Sequence, residues 1–466
     1  MLKLLSGAGF AFLLSYAAKI ILLKLYSPAD FGVFAFVAAV VAILGPLASL
    51  RYEDALLLPY DDRRAAHVLL LSLGSLLGMC VVFSGIVIFR EEVARAFGDS
   101  SVSGWVWTIP ALLLFNRGAK IVELWLARKD RFGLISAGQV AQSSVMTAIR
   151  IGAGLVRANP AGLIFGFALG YAASLSLFLR QLTLSLKEAL KEGVDWRLMR
   201  SVARRYRKFP MFTMPAAMLG AGVTHAPSIL LLFFFDSSVL GVYSQAFAVL
   251  LIPLSQVGGA VAQVFFVRAV EARRAGTLGS LSATVHRRLV SLALFPAGVA
   301  MIAAPDLFQF VFGETWRASG EYLLYLSPWI MLTVVSSPLT RLFDVLERQK
   351  LELLAAAAML AVVSASLVAG GLSGNVERTL LFVGIGGAAV RLAQIVLLMR
   401  LSGVRYAQIV RPYAEYALLS VIPLVVLTAA KLLDSLPLML GTVVLVSTAY
   451  VGLILKRDGL LADRSK

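Results

Sequence analysis

Short polar loops divide this chain into long apolar segments, and that division constrains its fold more than any other sequence feature. The segments lie at about residues 4–25, 32–50, 66–89, 105–127, 132–156, 159–182, 209–235, 239–266, 289–312, 320–343, 351–373, 378–400, 414–431 and 436–456. Each is long enough to cross the hydrocarbon core of a bilayer as a helix. The sequence therefore predicts an all-α integral membrane protein with about 14 transmembrane helices.

Composition excludes several other classes of protein. Hydrophobic residues make up 59% of the 466 positions and charged residues 15%, so little chain is left for a soluble enzyme or a disordered adaptor. Cys80 has no partner for an intrachain disulfide, and His67, His225 and His286 lack metal-ligand spacing. No phosphate-binding loop sequence is present. We therefore expect no metal, no cofactor and no catalytic residue.

The basic residues are distributed unevenly between the predicted loops. With a cytoplasmic N-terminus, 31 Lys and Arg residues fall on the cytoplasmic side and seven on the opposite side. Because basic loops stay in the cytoplasm, this asymmetry predicts a multi-pass protein with both termini inside. The net charge of +17 favours anionic phospholipids as partners of these loops, whereas nucleic acid would require a soluble basic surface.

A basic linker at 186–208 separates a predicted six-helix lobe, 1–185, from a second lobe, 209–401. Its apolar and basic residues keep helical spacing, which indicates an amphipathic interfacial helix, although a solvated linker is the alternative. Gly32 and Gly241 stand at equivalent places in a weak internal repeat, each followed by Val and an aromatic residue. Six helices per unit imply two parallel lobes, with 402–466 adding two helices and a cytoplasmic tail.

Charged and amide side chains inside the predicted spans are the candidate functional residues, because such groups are costly in hydrocarbon. The predicted substrate-binding residues of the cavity are Lys19, Arg117, Lys120, Arg150, Arg391, Gln139, Gln142, Gln245, Gln256 and Gln263, with Arg51 at its cytoplasmic mouth. Glu123 is the one clear carboxylate inside a span, and Glu53 and Asp54 follow Arg51 at a cytoplasmic helix end. The excess of cations predicts an anionic ligand, with these three carboxylates in gating or coupling.

These charges also have a purely structural interpretation. Lys19 and Arg391 would then snorkel or pair across helices, while Arg117 and Lys120 would neutralise Glu123. Glu53 and Asp54 would be ordinary solvated helix-end residues. Lys19 and Arg150 are nevertheless the strongest candidates for anion binding, because Lys19 lies deep in its span and Arg150 extends the polar face that carries Gln139 and Gln142.

Several short segments together resemble a known family. They are Leu25 to Gly32 (LYSPADFG), Leu50 to Pro59 (LRYEDALLLP), Tyr206 to Pro210 (YRKFP), Phe312 to Gly320 (FGETWRASG) and Pro338 to Lys350 (PLTRLFDVLERQK). In this order they resemble bacterial oligosaccharide flippases of the O-antigen type, in the polysaccharide transporter family. That family belongs to the multidrug/oligosaccharidyl-lipid/polysaccharide exporter superfamily.

The resemblance implies two six-helix lobes around a central cavity in the bacterial inner membrane, plus two peripheral helices here. It implies movement of undecaprenyl-pyrophosphate-linked oligosaccharide from the cytoplasmic to the periplasmic leaflet, for surface polysaccharide, O-antigen or lipopolysaccharide assembly. Basic residues suit the pyrophosphate, and Gln side chains suit sugar hydroxyls. A monomer, polysaccharide polymerase partners and coupling to a proton or sodium gradient are further expectations.

Two other functions remain compatible with the sequence. An ion-coupled multidrug exporter of the same superfamily would need buried carboxylates, in which the predicted spans are poor. An integral-membrane polysaccharide polymerase or ligase would need a large periplasmic loop, and the longest predicted one, about residues 90–104, is short. The sequence therefore favours a transporter that is not an enzyme.

Overall fold

The computed structural model describes residues 2–89, 91–92, 95, 100–191, 193–433 and 435–457, and no strand occurs among them. Contacts divide the chain into two compact units, Met1–Gly241 and Val242–Lys466. Helices of the first unit are α1 (Leu2–Leu25), α2 (Pro28–Ser49), α3 (Asp62–Ser84), α4 (Ile109–Arg128), α5 (Phe132–Arg157), α6 (Pro160–Ala189), α7 (Trp196–Arg205) and α8 (Met214–Phe234).

The remaining helices begin at the junction and continue through the second unit. They are α9 (Ser237–Arg274), α10 (Leu278–Phe312), α11 (Arg317–Leu339), α12 (Gln349–Gly371), α13 (Val376–Leu401), α14 (Tyr406–Leu432) and α15 (Leu436–Arg457). Shorter helical elements are Tyr52–Ala55, Gly85–Phe89, Ser100–Ser103, Val106–Thr108, Phe209–Thr213, Glu314–Trp316 and Arg341–Val345. The predicted all-α membrane fold is confirmed.

Ten helical stretches among the described residues are long and apolar enough to cross a membrane. They fall on α2, α3, α6, α8 and α10 to α15. The other four predicted spans coincide with α1, α4, α5 and α9, which do not meet this criterion of length and hydropathy. The expected number of 14 transmembrane helices is therefore not confirmed. Charged residues within α4 and the amide residues of α5 lower their hydropathy, and the apolar part of α9 is the shorter stretch Ser237–Leu251.

Helix starts follow the capping residues of the sequence. Ser27 accepts the backbone N–H of Asp30, whose carboxylate in turn accepts the Ser27 N–H, which is a complete capping box before Pro28. Asn159 caps α6, and Asn375 caps α13. These residues satisfy N–H groups that a helix leaves unpaired at its first turn.

Two glycines bring α2 and the start of α9 into backbone contact within the first unit. A Cβ on Gly32 would lie 1.7 Å from the Ser237 carbonyl oxygen, and one on Gly241 would lie 1.8 Å from the Pro28 carbonyl oxygen. These are the two glycines of the sequence repeat, and positions 28 and 237 are also equivalent in it. The equivalent segments of the two repeats therefore pack against each other, and neither Gly32 nor Gly241 can be replaced by a larger residue at this helix crossing.

The amphipathic segment predicted within 186–208 forms α7, which packs on α3. Asp195 caps it by accepting the N–H groups of Arg197 and Leu198, and these bonds lower the pKa of the exposed Asp195 carboxyl. The Asp195 N–H donates to Nε2 of the fully buried His67 at 3.0 Å. Val202 is buried as well, so the apolar face of α7 is covered while Trp196 stays exposed.

The last two helices pack on α10 inside the second unit. The rings of Phe295 and Tyr450 stack with centroids 4.2 Å apart, and the Tyr450 hydroxyl donates to the Ser291 carbonyl at 3.0 Å. Lys431 Nζ lies 3.2 Å from Asp306 Oδ2 and donates to the Ile302 carbonyl at 2.6 Å. Helices α14 and α15 are thus integral parts of this unit.

Candidate functional site

A cavity of about 320 Å³ in the first unit collects half of the predicted site residues. Its walls come from the Tyr52–Ala55 turn, α4 and the start of α5. The predicted residues that line it are Arg51, Glu53, Asp54, Arg117, Lys120, Glu123 and Gln139. Apolar side chains, among them Phe132 and Ile135, complete the wall.

The backbone after α2 brings the first three of these residues to the cavity. Leu50 and Arg51 both adopt left-handed conformations, with φ of 52° and 57°. Two successive non-glycine residues in this region are unusual, and such conformations cluster at functional sites. The turn ends α2 and places Glu53 and Asp54 next to α4.

Glu53 is the deepest carboxylate of the cavity, with 2% of its side chain exposed. The Ser49 hydroxyl donates to its Oε1 at 2.8 Å, and Oε2 lacks a hydrogen-bond partner among the described residues. Asp54 pairs with Arg51, whose Nε lies 3.1 Å from Asp54 Oδ2. Burial raises the pKa of both carboxyls, and the charge of Arg117 opposes that rise.

Arg117 is held in a space that Gly45 leaves open on α2. A Cβ at position 45 would lie 2.3 Å from both Nε and Nη2 of Arg117. The buried Nε of Arg117 has no hydrogen-bond partner among the residues described. An unpaired N–H of a guanidinium retains its capacity to bind an anion.

The remaining polar residues lie along one wall of the cavity. Lys120 Nζ lies 3.3 Å from Glu123 Oε2, so this lysine is paired within α4, as in the structural interpretation. Its side chain is 54% exposed, compared with 13% for Glu123. Gln139 contributes a buried Oε1 that no described donor reaches.

The cavity is balanced in formal charge. Its cations are Arg51, Arg117 and Lys120, and its carboxylates are Glu53, Asp54 and Glu123. The count of span residues suggested an excess of cations, but the chain folds Glu53 and Asp54 back beside Arg117 after α2 has ended. An anion therefore gains most from this cavity when one of the carboxyls is protonated.

Lys19 and Arg150, the two strongest candidates from the sequence, do not line this cavity. Arg150 packs in the α5–α6 contact, where its Nε donates to the Leu163 carbonyl at 3.2 Å and its guanidinium lies 4.6 Å from the Phe34 ring centroid. Gly166 makes room for this side chain, because a Cβ there would lie 2.6 Å from Arg150 Cγ. Lys19 is half-buried in α1.

The other predicted cavity residues are dispersed. Arg391 donates to Gln394 Oε1 on its own helix at 2.9 Å, and its buried Nε lacks a partner in the described part of the chain. Gln245 is buried and donates to Ser244, whereas Gln142 is half-buried and Gln263 is exposed. The side chain of Gln256 lies outside the described residues.

Sequence reasoning missed two ionic clusters of the second unit. Asp306 bridges Arg317 at 3.0 Å and Lys431, beside a cavity of about 570 Å³. Glu415 is surrounded by three arginines, Arg287, Arg411 and Arg457. Hydropathy places these residues at helix ends but does not reveal which helix ends are neighbours in the fold. The one available signal was the position of Glu415, a single acidic residue close to several basic ones in the sequence.

Solved structures with the same fold define the class of this protein. The lipid II flippase MurJ, in an inward closed conformation, aligns with a TM-score of 0.72 and 13% identity over 99% of this chain and 100% of MurJ. A multidrug resistance MATE family transporter of the MOP superfamily, in an inward-facing conformation, aligns at 0.64 and 12% identity over 86% of this chain and 98% of its own. The chain has the fold of this superfamily.

The family follows from the sequence itself. Residues 21–321 match the family of polysaccharide biosynthesis proteins, and the chain belongs to that family. Together with the shared fold, this match confirms the resemblance read from the short segments. Among curated proteins, none matches this sequence.

Proposed function

We propose that this protein is a flippase for lipid-linked saccharides. It moves undecaprenyl-pyrophosphate-linked oligosaccharide from the cytoplasmic to the periplasmic leaflet by alternating access, for surface polysaccharide or O-antigen assembly. The observation that carries the proposal is the charged cavity of the first unit, in a chain of a polysaccharide biosynthesis family with a MurJ-like fold. The protein acts without catalysis, since transport leaves the substrate covalently unchanged.

The cavity offers suitable chemistry for a pyrophosphate. Arg51 and Arg117 present guanidinium groups, which bind phosphate oxygens through two parallel hydrogen bonds and keep their charge at any physiological pH. Gln139 offers an amide that donates to and accepts from sugar hydroxyls. The polyprenyl tail remains in the lipid throughout, because only the polar head requires a hydrated path.

Membrane orientation and partners belong to the same proposal. The loop asymmetry of basic residues puts both termini in the cytoplasm and the cavity at the cytoplasmic end of α4, where the substrate is assembled. We propose a monomer of the bacterial inner membrane that passes its product to a polysaccharide polymerase. Coupling to a proton gradient is consistent with the buried Glu53 and half-buried Asp54 carboxyls, whose pKa values burial raises.

Deletion of the gene followed by complementation tests the proposal. We expect lipid-linked oligosaccharide to accumulate in the cytoplasmic leaflet of the deletion strain and to disappear with the wild-type protein. Arg117→Gln should restore less than about a tenth of the flux, because a charged hydrogen bond contributes about 1.5–3 kcal/mol. Arg64→Gln removes an exposed arginine of α3 outside the cavity and should restore full flux.

A second candidate function has its own supporting observation. An exporter of cationic drugs requires carboxylates in its cavity. Glu53 and Asp54 line this cavity beside Glu123, although the span count revealed only Glu123. Such an exporter would confer drug resistance that Glu53→Gln abolishes, and its deletion would leave lipid-linked oligosaccharide unchanged. Accumulation of that lipid without a change in drug sensitivity would reject the exporter.

A further inference from the structure

Glu415 on α14 is the centre of an ionic cluster that the flippase mechanism does not use. Its Oε1 lies 2.5 Å from Arg411 Nε, and its Oε2 lies 3.2 Å from Nη2 of both Arg287 and Arg457. These arginines come from α14, α10 and α15, so three helices of the second unit meet here. One carboxylate thus faces three guanidinium groups.

The aromatic ring of Tyr416 fixes the geometry of this cluster, which we call the Glu415 cluster. Arg287 and Arg457 lie 5.9 and 5.7 Å from the ring centroid, and Arg287 Nε donates to the Tyr416 hydroxyl at 3.3 Å. Tyr416 itself is fully buried. Both guanidinium groups are therefore held in place before any ligand arrives, which reduces the entropy lost on binding.

The Glu415 cluster carries an excess of positive charge. Three arginines against one carboxylate leave a formal charge of +2. Within six residues of the cluster members in sequence, Arg288, Arg405 and Lys456 add three positive charges, and Asp458 and Asp463 add two negative ones. The arginine side chains remain accessible, with 41%, 78% and 37% exposure for Arg287, Arg411 and Arg457. Each guanidinium has five N–H donors and uses few of them on Glu415.

An open pocket of about 300 Å³ lies beside this excess charge. Arg287, Arg411, Gln408 and Thr284 line it, together with Pro412 and Glu415. It lies near the start of α14, where the helix dipole adds a partial positive charge. The pocket lies at the helix ends that the basic-residue asymmetry assigns to the cytoplasmic surface.

We propose that the Glu415 cluster is a binding site for the phosphate of an anionic membrane lipid. Arg287 and Arg411 would hold the phosphate oxygens, while Gln408 and Thr284 provide polar contacts to the rest of the headgroup. The open pocket is at the predicted membrane surface, where anionic headgroups are concentrated and free phosphate is not. The site is independent of the substrate cavity, which is formed by residues of the first unit.

Native mass spectrometry of the full chain in neutral detergent tests this proposal. The probe is phosphatidylglycerol, titrated against wild-type protein, Arg411→Gln and Arg348→Gln, the last being an exposed arginine of the same unit outside the cluster. We expect about fivefold weaker lipid binding by Arg411→Gln, since one basic residue near a membrane surface contributes about 1 kcal/mol and tenfold corresponds to about 1.4 kcal/mol. Arg348→Gln should bind like the wild type.

Glu415→Gln separates lipid binding from simple helix attachment. It removes the competing carboxylate, so the site should bind phosphatidylglycerol severalfold more tightly. If the cluster only attaches α14 and α15 to α10, the same variant gains no affinity, and the proposal is overturned. Equal losses in Arg411→Gln and Arg348→Gln would also overturn it, because they would mean diffuse attraction to the whole surface.

Two further titrations identify the source of the phosphate. Phosphatidylcholine should bind at least several times more weakly than phosphatidylglycerol, because its headgroup has no net charge. Inorganic phosphate at millimolar concentration should not displace the lipid. Displacement by inorganic phosphate would overturn the assignment to a lipid and indicate a site for soluble anions.

Discussion

The cavity of the first unit and the Glu415 cluster of the second use the same residue types in opposite ways. In the cavity, three cations face three carboxylates, and Glu53 is almost completely buried. In the cluster, three arginines face one carboxylate and remain partly exposed. A balanced set of charges around a buried carboxyl makes anion binding depend on protonation, whereas unbalanced, exposed charges attract an anion at any physiological pH.

The largest expected effect comes from removing Arg117, whose positive charge helps to offset the burial of the ionised Glu53 carboxylate, together with Arg51 at 4.0 Å. Leaving a buried charge uncompensated costs up to about 3–5 kcal/mol, whereas an exposed ion pair contributes about 0–1 kcal/mol. We therefore expect Arg117→Ala to lower the unfolding temperature strongly and Arg411→Ala to lower it little. Thermal unfolding in detergent measures both variants, and similar shifts would remove the proposed distinction between the two regions.

The next largest expected effect is the dependence of folding stability on pH through the carboxyls of the cavity. Burial raises the folded-state pKa of Glu53 and Asp54, so the folded protein binds protons that the unfolded chain releases, over the pH range between the two pKa values. Their contribution to stability is complete below the unfolded pKa of about 4 and is lost as pH rises through the folded pKa. The double variant Glu53→Gln, Asp54→Asn should flatten this decline in a series of unfolding temperatures.

Anion binding in the cavity should follow the same protonation. Protonation of Glu53 removes one of the two carboxylate charges that oppose Arg117, so pyrophosphate binding to the wild type should strengthen as pH falls. Glu53→Gln should bind at neutral pH like the wild type at lower pH. Calorimetric titration with inorganic pyrophosphate measures the affinity of each variant at each pH. If the wild type bound pyrophosphate with equal affinity at neutral and at lower pH, the charge-balance argument would be contradicted.

The sequence predicted the helical membrane fold well because hydropathy is a local property. Capping residues such as Ser27 and Asn159 and the apolar runs between them need no tertiary information. The candidate site was predicted only in part. Gln139 and Arg150 share a helical face in the sequence, yet Gln139 lines the cavity while Arg150 packs against Leu163 and Phe34.

Tertiary contacts explain what the sequence left open. The left-handed pair Leu50 and Arg51 redirects the chain, and no composition or periodicity reveals that Glu53 then lies beside α4. Likewise, the sequence predicts that α8 belongs to the second lobe because it follows the basic linker, and it does not reveal that α8 packs on α2. Hydropathy counts helices and says nothing about which of them are neighbours.

A moderate effect is expected at the contact between α3 and α7. His67 Nδ1 lies 2.7 Å from the Arg63 carbonyl and Nε2 accepts the Asp195 N–H, which fixes a neutral ring with its proton on Nδ1. His67→Ala removes this acceptor from the partly buried Asp195 N–H, at a cost of about 1 kcal/mol. Hydrogen exchange of residues 195–205 should accelerate while that of α14 stays unchanged. Unchanged exchange in α7 would show that Val202 alone holds this helix.

The smallest effect on stability is expected for Lys120, the exposed cation of the cavity. Its pair with Glu123 is an i,i+3 contact at 3.3 Å with half of the lysine in solvent, and such pairs contribute about 0.3–0.5 kcal/mol. Lys120→Gln should therefore unfold at nearly the wild-type temperature. It nevertheless gives the fully ionised cavity a net negative charge, so flux of lipid-linked oligosaccharide should fall severalfold, and Arg64→Gln, with its exposed charge outside the cavity, should not change it. If Lys120→Gln transported at the wild-type rate, the charge balance of the cavity would have no part in substrate capture, and Arg51 and Arg117 would act by geometry alone.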